Sequence, residues 1–203
     1  ITASDLKGWA ADAVAEADSV LARLRASLPT LAPEAQEAAE AVLASREAIA
    51  KRYEAAAKAA PSGQKTRIHG DYHLAQVLVA QSDLVVIDFE GEPSRDLAER
   101  RAKSAPIRDV AGWLRSFVYA AAMALARWRD THDVKTEDAR NKALDWRDAP
   151  RRQFLKSYLE TMGSAAPAPE LPAALMALFT LHKAIYELGY ELTTRPTWVR
   201  VPL

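Results

Sequence analysis

The 203-residue chain contains no cysteine. Disulfide bonds, zinc–thiolate sites and thiol nucleophiles are thereby excluded, and a reducing, cytoplasmic setting is expected. There is no charge excess either, since 27 Lys and Arg balance 27 Asp and Glu. Nucleic-acid and membrane-surface partners call for a basic field, so neither is expected. No apolar run approaches the ~20 residues of a membrane span, and no secretory leader is visible. Glycine is scarce: seven stand at positions 8, 63, 70, 91, 112, 163 and 189. No two are close enough for a G-x-G loop over a nucleotide's phosphates, and no multi-strand β region precedes residue 65. Because the chain opens on Ile1, it reads as a fragment or domain of a longer product.

What is present is mostly helix. Leu6, Trp9, Ala13, Ala17, Leu21, Leu24 and Leu28 recur at three- and four-residue intervals, which predicts an amphipathic helix over 4–28 with Ser4 as N-cap. Pro33 suits the first turn of a second helix, expected to run to about Lys58 through Val42, Leu43, Ile49 and Tyr53. The period then changes. Val77–Ala80 and residues 84–87 are short β-branched runs joined by Gln81, Ser82 and Asp83, a hairpin signal. Residues 89–105 are charged and aperiodic, so an irregular loop is expected. Helix resumes at Ile107, with Val110, Leu114, Phe117, Ala121 and Leu125 on one face. Another helix ends near Met162, residues 163–169 read as a linker, and a last helix spans about 170–192.

Chemistry concentrates in one stretch. It holds the run His69-Gly70-Asp71-Tyr72-His73-Leu74-Ala75-Gln76, then Ile87-Asp88-Phe89-Glu90. Phosphoryl transfer needs a carboxylate to accept or orient the attacking hydroxyl's proton, and oxygen ligands for the magnesium on the nucleotide phosphates. In the kinase template an amide ligand follows the base Asp by five residues, and a second Asp follows the next hairpin. Asp71 is thus the candidate catalytic base. Gln76 and Asp88 are the candidate metal ligands, Gln76 being one methylene longer than the usual Asn. Glu90 has two readings, an extra metal or water ligand and a structural acceptor. His69 and His73 are four apart, but Gly70 spoils a helix between them, so a zinc pair is not expected. His69 reads as a brace of the loop, and His73 as a brace that orients Asp71 or touches phosphate. Asp109, at the start of an apolar helix, accepts N–H groups there or braces the catalytic loop.

These residues, with residues 105–120 and 183–203, resemble the maltokinases, sugar kinases often fused to trehalose synthase. The resemblance covers about Arg67 to the C-terminus and departs from the family pattern at Ala75 and Val118. It implies a mostly α chain with a small β-hairpin, the C-lobe of a protein-kinase-like (aminoglycoside-phosphotransferase-like) fold. One C-lobe would fill 1–203: a helical scaffold over 1–64, then catalytic loop, metal-binding hairpin and activation-segment-like loop over 65–105. A helical substrate-side subdomain over 106–203 would follow, and the N-lobe would be absent. The implied cofactors are ATP and Mg2+, and the implied reaction converts maltose to maltose 1-phosphate. Implied partners are maltose or a related sugar, the missing N-lobe and trehalose synthase. Tyr186 and Tyr190 share a helix face. With Glu187 and Trp198 they suit a sugar, and they suit a half-buried core edge equally well. A glucosamine or aminoglycoside-type phosphotransferase is the rival enzyme, and a sugar-binding or structural remnant is the non-enzyme alternative.

Overall fold

The computed structural model describes residues 1–132, 136–163 and 170–203. Among these, the elements in order are α1 Ala3–Ser27, α2 Pro33–Ala44, α3 Arg46–Ala57, β1 Val77–Ala80, β2 Asp83–Val86, α4 Leu97–Arg101, α5 Ile107–Thr131, α6 Thr136–Met162 and α7 Glu170–Thr194. The chain is mostly helical with one small hairpin, as the periodicity predicts. It divides into two compact units, residues 1–65 with 167–203, and residues 66–166. Residues 106–166 fall in the second unit and residues 167–203 in the first. Much of the expected linker, residues 164–169, lies outside the described residues.

In the first unit, α1 packs against α3 and α7. Its buried stripe is Leu6, Ala10, Ala13, Ala17, Val20, Leu21 and Leu24. The small alanines let neighbouring helices approach, and α7 contributes the fully buried Leu175, Leu178 and Leu188. Gly189 marks a tight spot. A Cβ there would lie 2.5 Å from Arg23 Nη2 and 2.9 Å from Val20 Cγ2. Arg23 in turn donates to the Gly189 carbonyl and to Thr193 Oγ1.

Two local readings are corrected. The N-cap of α1 is Thr2, not Ser4. Thr2 Oγ1 accepts from the Asp5 amide at 3.2 Å, and Asp5 Oδ2 accepts from the Thr2 amide at 2.8 Å, a capping box with Asp in place of the usual Glu or Gln. The single helix expected from Pro33 is two helices broken at Ser45. That residue leaves helical geometry (φ −87°, ψ 4°) while its hydroxyl donates back to the Ala41 carbonyl at 2.8 Å, a bond that competes with the helical ladder.

In the second unit the hairpin pairs Val77 with Val86 and Ala80 with Asp83. Asp83 is thus a strand residue, and the turn is Gln81 and Ser82 alone, at φ 50° and 68°. Two successive positive φ values match the right-handed strand twist in a two-residue turn. The stretch expected to be irregular contains α4, whose Asp96 and Glu99 form a second capping box. α5 packs on α6 through Trp113 against Phe154 and Phe117 against Trp146.

Candidate active site

The loop from His69 to Gln76 is held from two sides. From α5, Asp109 Oδ2 accepts from the His69 amide at 2.7 Å and Oδ1 accepts from the Gly70 amide at 2.9 Å. Asp109 serves the loop, while the helix N-cap is Pro106, which makes no side-chain bond. Burial pushes the Asp109 carboxyl upward, and the two amides oppose that shift. From the hairpin side, His69 Nε2 lies 2.8 Å from the Ile87 carbonyl, while its Nδ1 accepts from the Asp71 amide at 3.3 Å. These partners require the proton on Nε2. His69 also packs on Tyr72 and Phe89, with ring centroids 5.6 and 4.9 Å away. One imidazole thereby couples the Asp71 loop to the segment carrying Asp88.

Gly70 sits at φ 85°, and a Cβ there would lie 3.2 Å from Gly91 Cα. The conformation therefore calls for glycine, and the space beside it is tight. Gln76 Nε2 donates to Asp88 Oδ2 at 2.9 Å, and the Ile87 amide donates to the Gln76 carbonyl at 3.0 Å. Asp88 has φ 63°, a left-handed backbone that costs a non-glycine residue about 1–2 kcal/mol and that Asp and Asn tolerate best. His73 Nδ1 accepts from the Ala75 amide at 3.2 Å, and its Nε2 lies 3.6 Å from Asp71 Oδ2. The Glu90 carbonyl lies 3.5 Å from Arg100 Nη1. Among the described residues no three of His, Cys, Asp and Glu cluster as a metal site.

Two further residues touch the loop that the sequence reading missed. Gly112 on α5 brings the helix so close that a Cβ would lie 2.9 Å from the Tyr72 carbonyl oxygen. Trp113 stacks on Tyr72 at 4.8 Å and 16°. Their spacing from Asp109 (i+3 and i+4) was the available signal, since it puts all three on one helix face.

Comparison with known proteins gives a consistent picture. The profile of the phosphotransferase enzyme family matches residues 3–98. A glucosamine kinase from Streptacidiphilus jiangxiensis is 28% identical over 135 residues, 66% of this chain and 29% of that protein. A glucosamine kinase from Mycolicibacterium smegmatis (strain ATCC 700084 / mc(2)155) is 36% identical over 138 residues, 66% of this chain and 32% of that protein. The solved glucosamine kinase in crystal form B superimposes with a TM-score of 0.79 at 26% identity, covering 100% of this chain and 45% of that one. A glucosamine kinase in complex with glucosamine, ADP and inorganic phosphate gives 0.78 at 25% identity, covering 100% and 44%. The chain carries the phosphotransferase fold. It spans less than half the length of those solved relatives.

A phosphotransferase fold implies a nucleotide-bound magnesium ion. The donor chemistry of Gln76 and Asp88 fits one. Both side chains carry hard oxygens, they already touch, and Asp88 is exposed. Turning the Gln76 amide would present its oxygen instead of its nitrogen.

The C-terminal candidates lie in the first unit. Tyr186, Glu187 and Tyr190 sit on α7, and Trp198 lies in the turn after it. Glu187 is buried and Tyr190 is exposed. The sequence reading also missed Arg195. Its guanidinium grips Glu191 with bonds of 2.6 and 3.0 Å and lies 5.6 and 5.5 Å from the Tyr190 and Trp198 rings. No helix among the described residues is long and apolar enough to cross a membrane.

Proposed function

We propose that this chain is the catalytic lobe of an ATP-dependent sugar kinase with glucosamine as its acceptor. The observation that carries the reading is the pairing of Gln76 with Asp88, coupled through His69 to the Asp71 loop. In this reading the Asp71 carboxylate accepts the proton of a sugar hydroxyl. The freed oxygen attacks the γ-phosphorus of ATP, and the bond to the ADP oxygen breaks. Gln76 and Asp88 would hold Mg2+, which when bound would neutralise charge on the phosphates. Asp109 and His69 keep the base and the ligands in register, and Glu90 keeps its two readings, a metal or water ligand and a structural acceptor. A lobe that clamps the nucleotide comes from outside these 203 residues, so the chain alone has no appreciable turnover. A cytoplasmic setting, where ATP is available, belongs to the same proposal.

Glucosamine is favoured over maltose by the named activity of the relatives. The maltose reading, with trehalose synthase as partner, rests on the resemblance of residues 69–76, 87–93, 105–120 and 183–203. The test is ADP release by the full-length gene product with ATP, Mg2+ and a panel of glucosamine, maltose, glucose and an aminoglycoside. Preference for glucosamine is expected, and preference for maltose reverses the assignment. Asp71→Asn should abolish turnover while glucosamine still binds, measured calorimetrically. Retained turnover removes Asp71 from its role.

A further inference from the structure

Gln76 ends a 3-10 turn, Leu74–Gln76, which has three amides to satisfy. Two find local partners: Ala75 donates to His73 Nδ1, and Gln76 donates to the His73 carbonyl at 2.9 Å. The Leu74 amide reaches across to α5 and donates to Ser116 Oγ at 3.2 Å. Ser116 in turn donates to the Trp113 carbonyl at 2.7 Å. That second bond uses the hydroxyl proton and turns a lone pair toward Leu74. Ser116 lies two helical turns after Asp109, on the same face as Gly112 and Trp113. One face of α5 therefore grips the loop before Asp71, at Tyr72 and again after His73.

We infer that Ser116 is a positioning residue for the cation site, setting the turn that aims Gln76 at Asp88. This rests on the reading of Gln76 and Asp88 as magnesium ligands. A residue that only packed against the turn would not need an acceptor atom. Replacing Ser116 by Thr keeps the acceptor, whereas Val has the shape of Thr without it.

Amide hydrogen exchange by NMR on the 203-residue chain, without metal, reads the turn directly. Ser116→Val should speed exchange at Leu74 about tenfold or more, since a part-buried donor is left without its partner, and Ser116→Thr should restore protection. In the full-length gene product, Ser116→Val should raise the half-saturating Mg2+ concentration about tenfold with an unchanged sugar KM, and Thr should again rescue. Should Ser116→Val not fold, Ser116→Cys, a poorer acceptor of similar size, takes its place. Unchanged exchange and Mg2+ dependence in Ser116→Val, beside a raised requirement in Gln76→Ala, would overturn the inference and leave the ligand reading standing. An unchanged requirement in Gln76→Ala would overturn the ligand reading and this inference with it.

Discussion

Replacing Asp109 tests the brace of the catalytic loop most directly. Its carboxylate receives the amides of His69 and Gly70 at 2.7 and 2.9 Å in a part-buried setting. Hydrogen bonds to a charged acceptor contribute about 1.5–3 kcal/mol each. Against that stands the desolvation that raises the Asp109 pKa. Asp109→Ala removes both bonds and leaves two amides without partners, so a loss of about 2–4 kcal/mol is expected. Asp109→Asn keeps one acceptor, sheds the buried charge and sets an NH2 group against the other amide, for a loss of about 1–2 kcal/mol. Urea denaturation of the chain followed by circular dichroism measures both. The pH dependence has a definite sign. A carboxyl whose folded pKa is raised contributes stability that is complete below the unfolded pKa of 3.8 and fades as pH rises through the folded value. The advantage of wild type over Asp109→Asn should therefore grow as pH falls through that window. Equal unfolding midpoints for Asp109→Ala and wild type at neutral pH would refute the brace.

Three other substitutions probe the frame. Gly112→Ala puts a Cβ 2.9 Å from the Tyr72 carbonyl oxygen; the loop must shift, and kcat of the full-length product should fall about tenfold or more with little change in melting temperature. Gly189→Ala forces Arg23 and Val20 away from α7, and urea denaturation should show a loss of about 1–3 kcal/mol instead of the gain that alanine brings to an open helix position. Asp5 is held down to about 2, first by Lys65 and then by the Thr2 amide. Its stabilisation is complete above the ordinary 3.8 and is lost as pH falls through about 2. Exposure limits it to about 1 kcal/mol, so the unfolding midpoints of wild type and Asp5→Asn should differ at pH 7 and converge toward pH 2.

The helices and the hairpin were legible because burial imposes a period on sequence: Leu6 to Leu24 and Val110 to Ala121 announce their buried faces. The break at Ser45 was not, because a serine inside an alanine-rich run is tolerated in a helix until its hydroxyl bonds backward. The short α4 was hidden in a charged stretch, where the capping pair Asp96 and Glu99 resembles any acidic loop. At the site, Asp71, Gln76 and Asp88 could be read because spacing along the chain is itself the signal. The roles of Gly112, Ser116 and Arg195 could not, because helical spacing from Asp109 or Glu191 was visible but what those faces would touch across the fold was not.

Asp88 faces two selections at once. Its left-handed backbone admits Gly, Asn and Asp with least strain, whereas a charged oxygen ligand for a cation admits Asp or Glu. Only aspartate belongs to both sets. Asparagine at this position should keep the chain's shape while giving up charge, and glutamate should keep charge while straining the bend. Pairing those two substitutions would therefore separate conformation from electrostatics at a single residue, a division that few positions in a protein permit.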